Sequence, residues 1–344
     1  MHPGPLHYPH PAPPTAGALL EIAPGVRWLR LALPWSLDHI NLWLLDDEAG
    51  ACLIDTGLGD AESRAVLSNT LADAGRPLTR ILATHYHPDH LGNAEWLSQQ
   101  HHAPVWMSTG EFLLAHALYH ALGPYSVDAM LAHFRVHGLD ASRLGKLAAR
   151  GNVYRRGVPS LPQHHHRLAE QDVIRINAHA WRCIVGQGHS PEHIALYCAE
   201  LGVLISGDML LPRITTNVAV PAATPCDDAV GRFLDSIDRF ADLPADTLVL
   251  PAHGLPFIGL HARIGQLHAH HTERAATMRQ ALAKPCSAAD LLETLFRREL
   301  DPHQTMFAMS EAIAHLNHLW QSGGAHRIED ADGLIRFQAN ADPA

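Results

Sequence analysis

The stretch Ile81–Asn93, "ILATHYHPDHLGN", sets His85, His87, Asp89 and His90 within six positions, directly after a short apolar run. Three imidazoles this close repel one another when charged, so at neutral pH the cluster is comfortable only as neutral rings around a cation. Zinc-type ions accept imidazole nitrogen at about 2.0–2.1 Å and carboxylate oxygen at about 2.0–2.2 Å. In an extended segment alternate side chains share a face, which predicts His85, His87 and Asp89 on one side and His90 on another. One loop then feeds two metal positions, and the missing donors come from other loops.

Working outward, "RILATH" reads as a strand that delivers the cluster at its C-terminal end, where sites sit in sheet-with-helix folds. Upstream, "GVRWLRLAL", "INLWLLDD" and "GACLIDTG" are short strands bounded by Pro, Gly and acidic turn residues. "AESRAVLSNTLADAG" has helical spacing, and "LGNAEWLSQQH" (helix) and "PVWMS" (strand) follow the cluster. Residues from about Thr109 to Arg150 read as inserted helices. The strand pattern resumes in "DVIRINAHAWRCIVGQGHSPEH", "IALYCAELGVLISGD" and "TLVLPAHG". Their ends supply His189, Asp208 and His253, each flanked by Gly or Pro that lets the backbone turn sharply.

At 344 residues the chain exceeds one typical single-core domain, so a large domain and a smaller one are expected. A hydrophobic fraction of 47% suffices for a sizeable core. No apolar run approaches the roughly 18 residues of a membrane span, so a soluble protein with no membrane partner is expected. The Pro- and His-rich start, "MHPGPLHYPHPAPPTAG", lacks the regions of a signal peptide and reads as a disordered or extended tail over residues 1–18, with a cytoplasmic location as the default. The five cysteines lie far apart without a CxxC pair, which fits reduced thiols and supports neither a disulfide framework nor a Cys-type zinc site. A net charge of -10 opposes a grip on phosphate backbones, so a small-molecule substrate is expected ahead of nucleic acid.

With the HxHxDH loop, the later His, the Asp after "LISG" and the His of "PAHG" in order, the chain resembles the metallo-β-lactamase superfamily over roughly Leu19 to Pro256. The resemblance implies an α+β fold: a four-layered αβ/βα sandwich spanning 19–257, with a helical insertion at about 109–165 and the metals at one edge. It implies a first metal on His85, His87 and His189, a second on Asp89, His90 and His253, and Asp208 bridging the two. Asp55 of "LIDTG" would orient a ligand histidine, although an Asx turn explains such a residue as well. Two zinc ions, with iron or manganese suited to the same donors, would share a hydroxide that attacks an acyl carbonyl or a phosphodiester. Asp89 would orient that nucleophile and pass a proton to the leaving group. No GxSxG elbow offers a serine alternative.

The chain has 28 histidines, so an isolated one is by default a surface or hydrogen-bonded residue. The runs "QHHHR" (His164–His166) and "HAHH" (His268–His271) sit at no strand end beside a carboxylate and are read as non-ligands. Ser190 and His193 either touch substrate or cap a helix or turn. Residues that bind substrate are otherwise unassigned.

From Ile258 the pattern changes to three helices, "HARIGQLHAHHTERAATMRQALA", "SAADLLETLFRREL" and "TMFAMSEAIAHLNHLWQSG", and a hairpin, "AHRIED" and "GLIRFQA". Residues 258–344 thus resemble the winged-helix module of some hydrolases of this superfamily. Eight Lys and Arg against ten Asp and Glu favour domain packing or a homodimer contact over DNA binding. Among substrates, glutathione thioesters of the glyoxalase II type require a basic C-terminal cluster that is absent here. The commonest true β-lactamases have Cys where Asp208 stands, and homoserine-lactone lactonases lack such a C-terminal module. The leading expectation is hydrolysis of a small acyl compound, a thioester or lactone. A β-lactamase-like endoribonuclease and a non-catalytic metal sensor are the alternatives.

Overall fold

Alternation along "VRWLRLA" decides how the first sheet is buried. Val26 and Trp28 enter one apolar core while Leu29 and Leu31 enter another. The next two strands repeat the division, with Trp43, Leu45, Cys52 and Ile54 on the first side and Leu42, Leu44, Ala51 and Leu53 on the second. Strands apolar on both faces need a layer on each side. A computed structural model describes residues 5–296 and 299–340 and supplies those layers.

The first sheet runs in the order β1 (Leu20–Ala23), β2 (Val26–Ala32), β3 (His39–Asp47), β4 (Gly50–Ile54), β5 (Leu78–Leu82), β6 (Val105–Ser108) and β7 (His166–Leu168). It is antiparallel as far as β4 and parallel from there on. The second sheet contains β8 (Val173–Ile176), β9 (His179–Gly186), β10 (His193–Cys198), β11 (Val203–Gly207) and β12 (Leu248–Pro251), in the order β12-β11-β10-β9-β8. Between the sheets, Trp28 and Trp43 meet Trp181, Cys183, Ile194, Leu196 and Ile205. The other face of the first sheet is covered by α1 (Ala61–Ala74), through Leu67 and Leu71, and by α3 (Ala94–His101), through Leu97. Asp60 caps α1 by accepting from Ser63 N at 2.7 Å. The fold is the mixed α/β sandwich of two sheets flanked by helices.

Strand direction places the site. β10 lies antiparallel to both β9 and β11, and β11 is parallel to β12, so β9, β11 and β12 run the same way. Their carboxyl ends lead to His189, Asp208 and His253, while β4 and its parallel neighbour β5 lead to Asp55 and His85.

Three segments add detail to the sequence reading. Residues 5–18 are held rather than loose: His7 and Ile258 exchange backbone hydrogen bonds at 3.0 and 2.8 Å, and Thr70 Oγ1 donates to Gly17 O at 2.8 Å. Residues 1–4 of the expected tail lie outside the described residues. In space the described residues group into one compact unit within 1–119, 154–216 and 236–265 and a second within 120–153, 217–235 and 266–344, so the second unit also takes in segments from before residue 258. Long-range contacts within the second unit explain the regrouping: Ala289 N donates to His137 O at 3.1 Å, and Asn317 Nδ2 donates to Pro225 O at 3.0 Å. Finally, "SAADLLETLFRREL" forms only a 3-10 turn at Ala289–Leu291 and one helical turn at Leu292–Leu295, with residues 297–298 outside the described set. A long helix (Pro302–Gln321) and a hairpin of β13 (Ala325–Glu329) with β14 (Ile335–Ala339) complete this unit. No helix among the described residues is long and apolar enough to cross a membrane.

Candidate metal centre

After β5 the chain bends through Thr84–His87, and Pro88 starts the one-turn helix α2 (Pro88–Leu91), which carries Asp89 and His90. Extended geometry therefore stops at His87, and the expected sharing of one face by His85, His87 and Asp89 fails at the third residue. His85 and His87 stay together, whereas Asp89 joins His90.

Two groups of donors result. In the first, His85 Nε2 lies 2.8 Å from His87 Nδ1 and 3.1 Å from His189 Nε2, and Asp208 Oδ2 is 3.3 Å from His189 Nε2. In the second, His253 Nε2 lies 3.5 Å from Asp89 Oδ2 and 3.3 Å from Asp208 Oδ1, and His90 Nε2 is 3.5 Å from Asp208 Oδ1. Donors about 2.0–2.1 Å from one tetrahedral ion are themselves roughly 3.3 Å apart, and the donor pairs here lie between 2.8 and 4.0 Å. Asp208 gives one oxygen to each group. All seven expected ligands are thus brought together.

The charge balance fits a pair of cations. Burial, reinforced by the neighbouring imidazoles, holds His85 and His87 well below the ordinary imidazole range, so both rings are neutral donors. Burial also disfavours a charged His90, but Asp55, Asp208 and Asp89 outweigh it and raise this ring well above its usual value. Asp208 resists burial in the same way, held well below the carboxylate range by His253 and His90. The negative field that favours a cationic His90 favours a metal cation in the same place, and Asp208 is already in the deprotonated form that ligates. Two of the atoms that converge here, His90 Nε2 and Asp208 Oδ1, are buried without a hydrogen-bond partner among the described residues. Such atoms are costly unless something ligates them.

Comparison with known proteins agrees. The sequence pattern of the metallo-beta-lactamase superfamily matches residues 35–253, and that of the metallo-beta-lactamase-like C-terminal domain matches residues 275–340. The chain belongs to the metallo-beta-lactamase superfamily. A beta-lactamase domain protein from Burkholderia ambifaria superposes with a TM-score of 0.90 at 44% identity, covering 97% of this chain and 98% of its own. A probable metallo-hydrolase of Bacillus subtilis is 22% identical across 84% of this chain and 90% of its own length. A hydroxyacylglutathione hydrolase of Rhodobacter capsulatus is 26% identical across 70% and 73%. This member of the superfamily is a metal-dependent hydrolase with a dimetal His/Asp centre.

Around the metallo-beta-lactamase donors lies a layer that sequence reading captured only at Asp55. Asp55 Oδ2 accepts from His90 Nδ1 at 2.8 Å, and Oδ1 accepts from Thr84 N at 2.8 Å. His253 Nδ1 donates to His39 O at 2.7 Å, while His39 Nε2 accepts from Gly254 N at 2.8 Å. Both contacts leave Nε2 as the nitrogen turned inward. His193 is fully buried, and its Nε2 accepts from Asp208 N at 3.1 Å in the turn that follows β11. Ser190 is buried and donates to Glu111 Oε1 at 2.6 Å. Glu111, on α4 (Thr109–Tyr119), also accepts from Glu192 N at 2.7 Å and Tyr86 N at 3.0 Å, and so ties the His85–His87 bend to the His189 loop. A lone carboxylate inside "TGEFLLAHALY" is the signal that could have revealed it. The discounted runs stay outside the donor groups, with His165 stacked on Phe112, His166 on Trp106, and His271 paired with His315.

Proposed function

We propose that this protein is a dinuclear zinc hydrolase of a small acyl compound, a thioester or lactone. The observation that carries the reading is Asp208, whose two oxygens face two separate donor groups. His85, His87 and His189 would hold one ion and Asp89, His90 and His253 the other, with Asp208 shared. Ions in these positions supply a water of lowered pKa and an electrophilic contact for the substrate oxygen.

The chain's own residues do the rest. Asp55 and His39 fix the imidazoles of His90 and His253, so the donors are set before substrate arrives. Asp89 takes the proton of the attacking water and returns it to the leaving thiolate or alkoxide, giving a carboxylic acid and a thiol or alcohol. The acyl class is supported by the hydroxyacylglutathione hydrolase relative and by a net charge of -10, which disfavours an RNA backbone as substrate.

The test is a panel of thioesters and lactones beside single-stranded RNA at low salt, run on protein whose metal content is known. Metal-dependent turnover of an acyl substrate is the expected outcome. RNA cleavage alone would select the endoribonuclease, and inertness towards every ester with both ions bound would leave only a sensor.

A further inference from the structure

β10 starts at His193, beneath the metal centre, and ends at Cys198, roughly 17 Å away for a strand of this length. At that far end His179, Cys198 and Glu200 offer a ring nitrogen, a sulfur and a carboxylate oxygen that all lie within 4.8 Å of one another. The pairing explains the convergence. β9 and β10 are antiparallel, with Tyr197 opposite Arg182, so the same register continued sets Cys198 opposite Trp181 and His179 opposite Glu200, diagonal to Cys198 and on its face. The chain then turns, Gly202 N donating to Ala199 O at 3.3 Å with Gly202 at φ 63°, and Glu200 folds back over the thiol. Cys198 Sγ donates to Glu200 Oε2 at 3.3 Å. Cys198 is buried, His179 is half-buried and Glu200 is exposed, so an ion reaching the sulfur has an entry route from water.

We infer that His179, Cys198 and Glu200 form a third metal site, specific for a zinc-class divalent ion and separate from the dinuclear centre. The donor set selects the metal. Calcium and magnesium take oxygen donors, whereas thiolate with imidazole suits zinc and its neighbours. Three protein donors leave the fourth tetrahedral position to water. Burial, with Glu200 adding to it, pushes the Cys198 thiol up to about 11, so without metal the sulfur stays protonated. Binding breaks the S–H bond, forms the metal–thiolate bond and releases one proton to solvent, which makes affinity rise with pH. Such an ion would tie β9 and β10 to the turn before β11, at the ends opposite His189 and Asp208. A lone cysteine without a CxxC partner conceals the site in the sequence.

Cobalt(II) tests this independently of the hydrolase reading. None of the seven donors at the dinuclear centre is sulfur, so a sulfur-to-cobalt charge-transfer band in the near ultraviolet reports thiolate ligation elsewhere. The full-length chain loaded with cobalt should show the band and hold one equivalent more metal than Cys198→Ser. That variant should lose the band, His179→Ala should weaken it, and lowering the pH should bleach it. Absence of the band from the unaltered chain, or its survival at full intensity in Cys198→Ser, would overturn the assignment.

Discussion

Asp55 Oδ2 accepts the Nδ1 hydrogen of His90 at 2.8 Å, which leaves Nε2 as the nitrogen facing Asp208. Asp55→Asn should therefore act through the tautomer. The backbone there has φ 61°, which Asn tolerates, and the amide oxygen can still accept from Thr84 N. Its NH2 group, however, turns a donor toward His90 Nδ1 and pushes the ring proton to Nε2. Metal affinity at the second group should fall about 10–100-fold while the melting temperature barely moves. Metal titration after dialysis checks this, and unchanged affinity would refute it.

Asp208→Ala should drop the metal content of the purified chain from about two ions to one or none. Both groups lose their shared carboxylate: the first is left with imidazoles that offer no charge to offset a cation, and the second with Asp89 alone. Gly207, one residue earlier, predicts a second route to the same defect. It has φ 51°, and a Cβ there would lie 2.3 Å from His193 Nε2, the atom that accepts from Asp208 N. Gly207→Ala should displace the Asp208 backbone and lower metal content together with stability. Elemental analysis of both variants beside the parent decides the matter.

Much of this was legible in the sequence, because strand ends marked by Gly and Pro advertise where donors gather. "VLISGD" and "LVLPAHG" each show an apolar run, a Gly or Pro that lets the chain turn, and a donor residue at the turn. Glu111, His193 and His39 stayed hidden because their roles lie in contacts with residues far along the chain, and no local spacing encodes a partner 79 positions away, as with Glu111 and Ser190. The regrouping of residues 120–153 with the C-terminal segment was invisible for the same reason: helical periodicity says which face is apolar, not what covers it.

Glu111→Ala should damage the site from outside it. The deletion removes the acceptor of Tyr86 N, Glu192 N and the Ser190 hydroxyl, at about 1–3 kcal/mol for the buried hydroxyl and less for the two half-buried amides. Glu111→Gln keeps an oxygen for Ser190 and Glu192 but sets an NH2 group against Tyr86 N, so its loss should be smaller. Stability by urea unfolding and metal affinity should both fall in the order parent, Gln, Ala. Equal values for the three proteins would show that Glu111 is not what joins the two loops.

Stability should also decline in mild acid for a reason outside the metal centre. Burial pushes His137 down to about 3, with His133 and Arg327 adding to the effect, and pushes His271 to about 3 and His315 to about 4. These folded values lie below the unfolded imidazole value of about 6.5, so the unfolded chain binds the protons first. The stability they contribute is complete above pH of about 6.5 and is lost as the pH falls towards the folded values, at up to about 1.4 kcal/mol per pH unit for each ring. Urea midpoints should hold steady from pH 8 to 7 and drop between about pH 6.5 and 4. His137 stacks on Phe337 with ring centroids 6.4 Å apart, so His137→Phe removes one titrating ring and keeps an aromatic in place. The pH slope of that variant should be shallower than the parent's over the same window. A slope equal to the parent's would mean that His137 does not carry its share of the acid sensitivity.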